Sequence, residues 1–295
     1  MFGRWNPDGT ITAKFYNDMF RISFIEYQEL RGLIDGISSR IGYSIDRIVA
    51  RGERKANMSS VDELVSKGHG VVRMLARSFL GAPATIRVTS GLVQGLGHGH
   101  ADVLEHKRGE YIRVRTWGPY SVPLVSGDLW GTYEAHFLMT AEATWEDEGD
   151  SAVVTIKEVK DGMVWENPSR LAFRKMPTFP GDVKFDYCPR CGVPREMTRT
   201  VEWDTERGII TNMLNGQREV MIIVEAINAV IGELTWELGD EIPAMVFDIE
   251  QAYVANQMQG TDLSNTTADY EKLLSGMCVL SQGNPRCWLP RKAFS

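Results

Sequence analysis

Cysteine is scarce in this 295-residue chain, with only Cys188, Cys191, Cys278 and Cys287. So few exclude a disulfide framework of the kind small secreted proteins use in place of a core. Basic residues are outnumbered: 32 Lys and Arg stand against 39 Asp and Glu, for a net charge of −7. Phosphate binding needs a basic face, so no nucleic-acid partner is expected. No apolar run is long enough for a membrane span. The most apolar one, residues 220–234, is broken by Glu225 and Glu233. The N-terminal MFGRWNPDGT lacks a signal-peptide core. The expectation is a cytoplasmic protein with no membrane partner. Also missing are a GxGxxG after a strand, a P-loop, HExxH and GxSxG, so no motif supports nucleotide use. What is present is a 43% hydrophobic content, enough for one large core or two modest ones.

In FIEYQELRGLIDGISSRIGYSIDRIVARGE (24–53), Tyr27, Leu30, Ile34, Ile37 and Ile41 recur at helical spacing, and Gly42 is a plausible stop. In MIIVEAINAVIGELTWELGDEIPAMVFDIE (221–250), 197 positions on, Val224, Ile227, Ile231, Leu234 and Leu238 take the same places. Ile34/Ile231, Gly42/Gly239, Ile45/Ile242 and Glu53/Glu250 are identities in that register. WNPDGTIT at Trp5 answers WDTERGIIT at Trp203, and LGAP at Leu80 answers QGNP at Gln282. The pattern predicts an internal duplication. Two unrelated helical hairpins sharing a period are the competing explanation.

Between these units, ATIRVTS (84–90), EYIRVRTW (110–117), YEAHFLMTAEATW (133–145) and SAVVTIKEV (151–159) alternate at period two and predict strands. The Pro-containing 165–182 reads as a linker. The fold class expected is α+β: two related helical units, an antiparallel sheet section between them, and a zinc knuckle opening the second. The expected division is a ligand-binding-like domain at 1–164, the linker, and a knuckle plus second helical copy at 183–295.

The residues Gly9, Ile11, Arg21, Gly42 and Gly81, with Gly208, Ile210, Arg218, Gly239 and Gly283 in the second copy, resemble the 4-vinyl reductase domain family, also called hydrocarbon-binding. The resemblance spans residues 1–120 and again 203–290. It implies an apolar or aromatic small ligand held between helices and sheet, often in a dimer that tandem copies would form within one chain. The second copy departs from the pattern in having no strands of its own after GNPRCWLP. Fold likeness alone does not define an activity.

Three constellations carry candidate chemistry. CPRCG presents Cys188 and Cys191 as half of a four-thiolate zinc site, with Cys278 and Cys287 as the remaining donors available. A closed site of that kind is structural. Free cysteines or a redox pair are the alternatives. GLGHGHADVLEH places His98, His100 and Glu105 close in sequence, with His136 downstream, as candidate catalytic metal ligands; a surface Gly/His loop is the simpler explanation. Trp117, Trp130 and Tyr133, with Arg113, Arg115 and His136 as polar anchors, are candidates for lining a ligand pocket, or else for the core of the sheet. The leading expectation is a zinc-containing binder of an apolar or aromatic molecule, acting as sensor, carrier or accessory subunit to a larger enzyme, or as a homodimer. The alternative is a metal-dependent enzyme with a His-x-His site acting on a small organic substrate.

Overall fold

The computed structural model describes residues 3–15, 18–66, 90–91, 93–107, 109–137, 139–159 and 179–257. In Asp18–Glu26, Phe20, Ile22 and Phe24 are buried while Arg21 and Ser23 are only partly covered. That period of two makes the run a strand, β3, preceded by β1 (Arg4–Trp5) and β2 (Ile11–Phe15). It passes without a break into α1 (Tyr27–Ile41), followed by α2 (Asp46–Ser66). Gly42 stops α1, its N–H donating to Ser38 O at 2.9 Å with φ at 84°.

Next come β4 (His100–Lys107), β5 (Tyr111–Trp117), α3 (Val122–Phe137), β6 (Ala141–Asp147) and β7 (Ser151–Glu158). The last section holds a short α4 (Met197–Thr200), β8 (Val201–Asp204), β9 (Ile209–Asn212) and β10 (Arg218–Ile223). β10 also runs straight into a helix, α5 (Val224–Leu238), which α6 (Ile242–Gln257) follows.

Two antiparallel sheets result. The larger has the order β1-β2-β3-β10-β9-β8, and the smaller β4-β5-β7-β6. At the centre of the larger sheet β3 pairs with β10, Phe24 lying opposite Met221 and Ile25 opposite Val220. One face of this sheet, through Ile25, Val220 and Ile222, packs on Leu30, Ile37, Val49, Val230, Leu234 and Ile242 of the helices. The other face, through Ile22, Phe24 and Met221, is covered by Leu96, Met197, Phe185 and Val193. α3 lies between α2 and the smaller sheet, its Trp130 and Tyr133 packed on Ile112, Val114 and Val154.

The mixed α+β class with antiparallel sheets is as the sequence suggested. The strands β1–β3 and β8–β10 were not among those expected, and one expected strand differs. Residues 133–145 are not a single strand: Tyr133–Phe137 close α3, and only from Ala141 does a strand begin. Tyr133, Ala135 and Phe137 satisfy the alternation, but they belong to a helix with Pro123 in its first turn and Ser121 ahead of it, whose Oγ accepts from Leu124 N at 3.5 Å. Residues 84–89 of another expected strand lie outside the described residues.

Candidate functional site

The site begins with two glycines. Gly127 and Gly131, one turn apart on α3, face α2 so closely that a Cβ on either would lie 2.5 Å from Ala50 O or 2.3 Å from Arg54 O. Only a residue without a side chain allows that approach. It brings Glu53 of α2 beside Asp128 of α3. Burial, then the Asp128 charge, pushes the Glu53 carboxyl well above its ordinary range. Asp128 accepts from Asn57 Nδ2 at 2.8 Å and from Tyr120 Oη at 3.1 Å. Burial raises the Tyr120 hydroxyl well above its usual range, the Asp128 charge adding to it.

On the neighbouring α2 positions, Arg54 makes a buried fork to Glu134, with Nη2 to Oε1 at 2.9 Å. Its guanidinium lies 4.5 Å from the Trp130 ring. Glu134 also accepts from Ala141 N at 2.7 Å. This network fixes where α3 hands over to β6.

The GLGHGH segment is not a surface loop; it threads between the two sheets. A Cβ on Gly97 would lie 2.9 Å from Ile210, and one on Gly99 would lie 2.4 Å from Trp117 O. Both glycines have positive φ, 84° and 94°. Leu96 O accepts from Met221 N at 2.8 Å, so the segment extends the large sheet beyond the end of β9. His98 then donates its Nε2–H to Met221 O at 2.8 Å and stacks on Tyr120, ring centroids 4.2 Å apart. A carbonyl acceptor fixes the tautomer, leaving Nδ1 bare. Burial lowers the basicity of His98, keeping the ring neutral, although the Asp128 charge opposes this. His100 is arranged alike: its Nε2 meets Asp102 Oδ1 at 3.1 Å. The Nδ1 atoms of both rings are shut off from solvent and have no hydrogen-bond partner.

Both histidines line one cavity of about 60 Å³ that opens to solvent. Val93, Ala101, Val125 and Leu129 supply apolar wall, and Asn57, Asp128, Thr116 and Thr132 polar wall. Sequence reasoning found His98 and His100 but missed Asn57, Glu53 and Asp128. The signal was present: Glu53 continues the Ile45–Val49 stripe of α2, and a carboxylate on a buried stripe marks a site to inspect.

The other candidates lie elsewhere. Glu105 is on the exposed side of β4, accepting from Tyr111 Oη at 2.7 Å. His136 is buried in α3 with its ring 4.7 Å from Phe137. Arg113, Arg115 and Trp117 alternate with the buried Ile112, Val114 and Thr116 on β5, so they share the outer face of the small sheet. Trp130 and Tyr133 are core, the Trp130 Nε1–H donating to Ala141 O at 2.9 Å. Among the described residues, no three His, Cys, Asp or Glu side chains are grouped to hold one metal ion.

Cys188 and Cys191 occupy a tight turn. Cys188 N donates to Val193 O at 2.8 Å, and Gly192 N to Cys188 O at 2.7 Å. The Cys188 thiol is lowered below its ordinary range, chiefly by the Cys191 and Arg190 backbone N–H groups. The turn is anchored to the large sheet through Val193 and Phe185 and through Tyr187 Oη donating to Trp5 O at 3.1 Å. Cys278 and Cys287 lie outside the described residues.

A comparison of the chain with protein-family models, with curated proteins and with solved structures finds no match.

Proposed function

We propose that this chain is a small-molecule-binding protein, acting as sensor, carrier or accessory subunit, whose ligand seat is the cavity between α2, α3 and the start of the small sheet. The observation that carries the reading is the cavity lining: apolar side chains around a few polar groups, with rigid helices behind them. The resemblance to hydrocarbon-binding domains points the same way, to an apolar or aromatic body between helices and sheet. Purification under native conditions followed by solvent extraction and mass spectrometry should recover a bound small molecule. Leu129→Trp, which fills the cavity, should abolish that recovery and any thermal stabilisation by added aromatics. A Trp variant that retains ligand would sink this seat.

The frame is a tandem duplication, on our reading. Three features at the 197-residue offset support it. Phe24 pairs with its own counterpart, Met221, across the central ladder. α1 packs on α6 as α2 packs on α5. Arg40–Asp248 and Arg51–Glu237, at 3.2 Å each, are the same contact with its charges exchanged.

The knuckle is half of a zinc site. Backbone N–H groups aimed at the Cys188 sulfur suit a bound thiolate, and Cys278 and Cys287 are the donors proposed to complete it. When bound, zinc would brace the turn against the sheet. Metal analysis should find about one zinc per chain, lost in Cys188→Ser. Native protein without zinc and with four titratable thiols would remove this part.

One observation favours a second reading, a metal-dependent enzyme. Two imidazoles that line one cavity, each held through Nε2 with Nδ1 lacking a hydrogen-bond partner, are oriented as metal-binding histidines often are. Glu105 and His136 are engaged elsewhere, so Asp128 would be the nearer carboxylate. His98→Ala with His100→Ala should then lose a metal that is not the knuckle zinc; unchanged metal content rejects it.

A further inference from the structure

The 197-residue offset sets two helices in equivalent positions with unequal company. Gly36 of α1 meets α6, where its Cβ would lie 2.9 Å from Ile249, and Gly52 of α2 meets α5, where its Cβ would lie 3.4 Å from the Glu233 side chain. Gly36 answers Glu233 and Gly52 answers Ile249, so these are one contact seen from its two ends. α6 thus stands in the second copy where α2 stands in the first. α3 covers α2: Gly127 and Gly131 press on Ala50 and Arg54, while Asn57 donates to Asp128 and accepts from Thr132. The counterparts of Ala50, Arg54 and Asn57 are Phe247, Gln251 and Val254. With Ala244 they follow at steps of three and four, along one face of α6. All four are exposed, Phe247 at 67% and Val254 at 54%, more than the scattered apolar exposure common on surfaces. Among the described elements α6 packs mainly on α1 and α5, with Met245, Val246 and Ile249 against the core.

The charge of that face is reversed between the copies. Arg47, Arg51, Arg54 and Lys55 of α2 become Ala244, Asp248, Gln251 and Ala252 in α6. From Glu219 to Gln257 the chain has eight Asp and Glu and no Lys or Arg. Asp240, Glu241 and Asp248 are exposed there, Asp248 pairing with Arg40 of α1 at 3.2 Å. In the first copy the basic face of α2 receives a helix of opposite sign. α3 has Asp128 and Glu134 and no Lys or Arg, and Glu134 takes the fork of Arg54. The face on α6 has lost those cations and gained Phe247 and Val254. By the same complementarity its occupant is a helix with an apolar stripe and Lys or Arg on its flanks. A second α6 does not qualify, since Ile242–Gln257 has Asp248 and Glu250 and no cation.

We infer that the outer face of α6, along Ala244, Phe247, Gln251 and Val254, is the docking surface for a basic amphipathic helix of a partner protein. This gives the accessory-subunit reading a surface. The helical form of the occupant rests on the duplication, and the cavity has no part in it. Three labelled peptides of about 14 residues, the length of helix that spans this face, test it by fluorescence anisotropy against the full chain near neutral pH. One is helical with Leu on one face and Lys on the other, the second has Glu in place of Lys, and the third is a scrambled Leu/Lys sequence with no stripe. The first should bind at least about tenfold tighter than the other two. Phe247→Ser should weaken it by about tenfold or more, the scale of one central aromatic anchor, and Val254→Ser should act in the same direction if that variant does not fold. Gln251→Arg, which restores the α2 residue, should weaken the Lys peptide by about threefold and strengthen the Glu peptide. Equal binding of the scrambled peptide, no binding of any peptide, or binding unmoved by Phe247→Ser and Val254→Ser overturns the surface. Tighter binding of the Glu peptide overturns the charge assignment. A concentration-dependent dimer in sedimentation that Phe247→Ser dissolves gives the face to a second copy and also overturns the proposal. Ligand retained in Leu129→Trp would sink the cavity and leave this surface standing.

Discussion

Glu219 is fully buried in β10, with Oε1 accepting from Asn212 Nδ2 at 2.9 Å and Oε2 without a hydrogen-bond partner. Burial pushes its carboxyl up to about 7; the Asn212 N–H opposes the rise and the Glu26 charge adds to it. Below the ordinary carboxylate range, folded and unfolded chains both hold this proton. As pH rises, the unfolded carboxyl ionises first, so this residue lowers stability progressively until about pH 7, where the folded form follows. Glu219→Gln should therefore raise stability at pH 8 by about 1–3 kcal/mol and change it little at pH 4, read from urea unfolding at the two pH values. Single residues of this kind were poorly legible in the sequence. His98 and His100 stood out by their spacing, but the carboxylates beside them did not. Glu53 and Glu250 were noticed only as matching letters. Glu53 could have been read as a carboxylate on the buried α2 stripe, but its partner 75 positions later, Asp128, no local pattern announces.

Helices were legible where their own stripe decided them and illegible where a neighbour did. α1, α2, α5 and α6 follow from apolar spacing, and Gly42 and Gly239 mark the stops. α3 did not, because Gly127 and Gly131 lower its intrinsic propensity and are explained only by the nearness of α2. β3 and β10 were overlooked because they run into α1 and α5 with no turn to punctuate the change of period. The helix crossing is testable against an internal control. Gly131→Ala should cost about 2–4 kcal/mol, since its Cβ has no room beside the Arg54 backbone. Gly32→Ala in α1 and Gly232→Ala in α5 meet nothing within 4 Å and should each gain about 0.5–1 kcal/mol, measured by the same unfolding titration. Equal effects at the three positions would contradict the close crossing. Because the same crossing brings Glu53 to Asp128, Gly131→Ala should also disturb the cavity.

Across the molecule, the large sheet draws three strands from each side of the Pro-containing 165–182 segment. Their junction is the β3–β10 ladder, from Ile22–Ile223 to Glu26–Glu219. Neither half owns the whole of the large sheet: alone, each would end in an open strand at what is now its middle. Residues 1–164 and 165–295 expressed as two polypeptides should therefore co-purify one to one and be poorly soluble apart; each half folding alone in isolation would refute the shared sheet. Among the described residues no helix is long and apolar enough to cross a membrane. The central ladder has a further consequence. In a two-chain version, closing that seam is a second-order event, and dilution opens it. In one polypeptide the two edges are held at a fixed effective concentration by the chain between them. The midpoint of unfolding of the intact protein should thus be independent of protein concentration, while that of the split version climbs with it. However few copies a cell makes, each carries the partner that covers the open edge of either half.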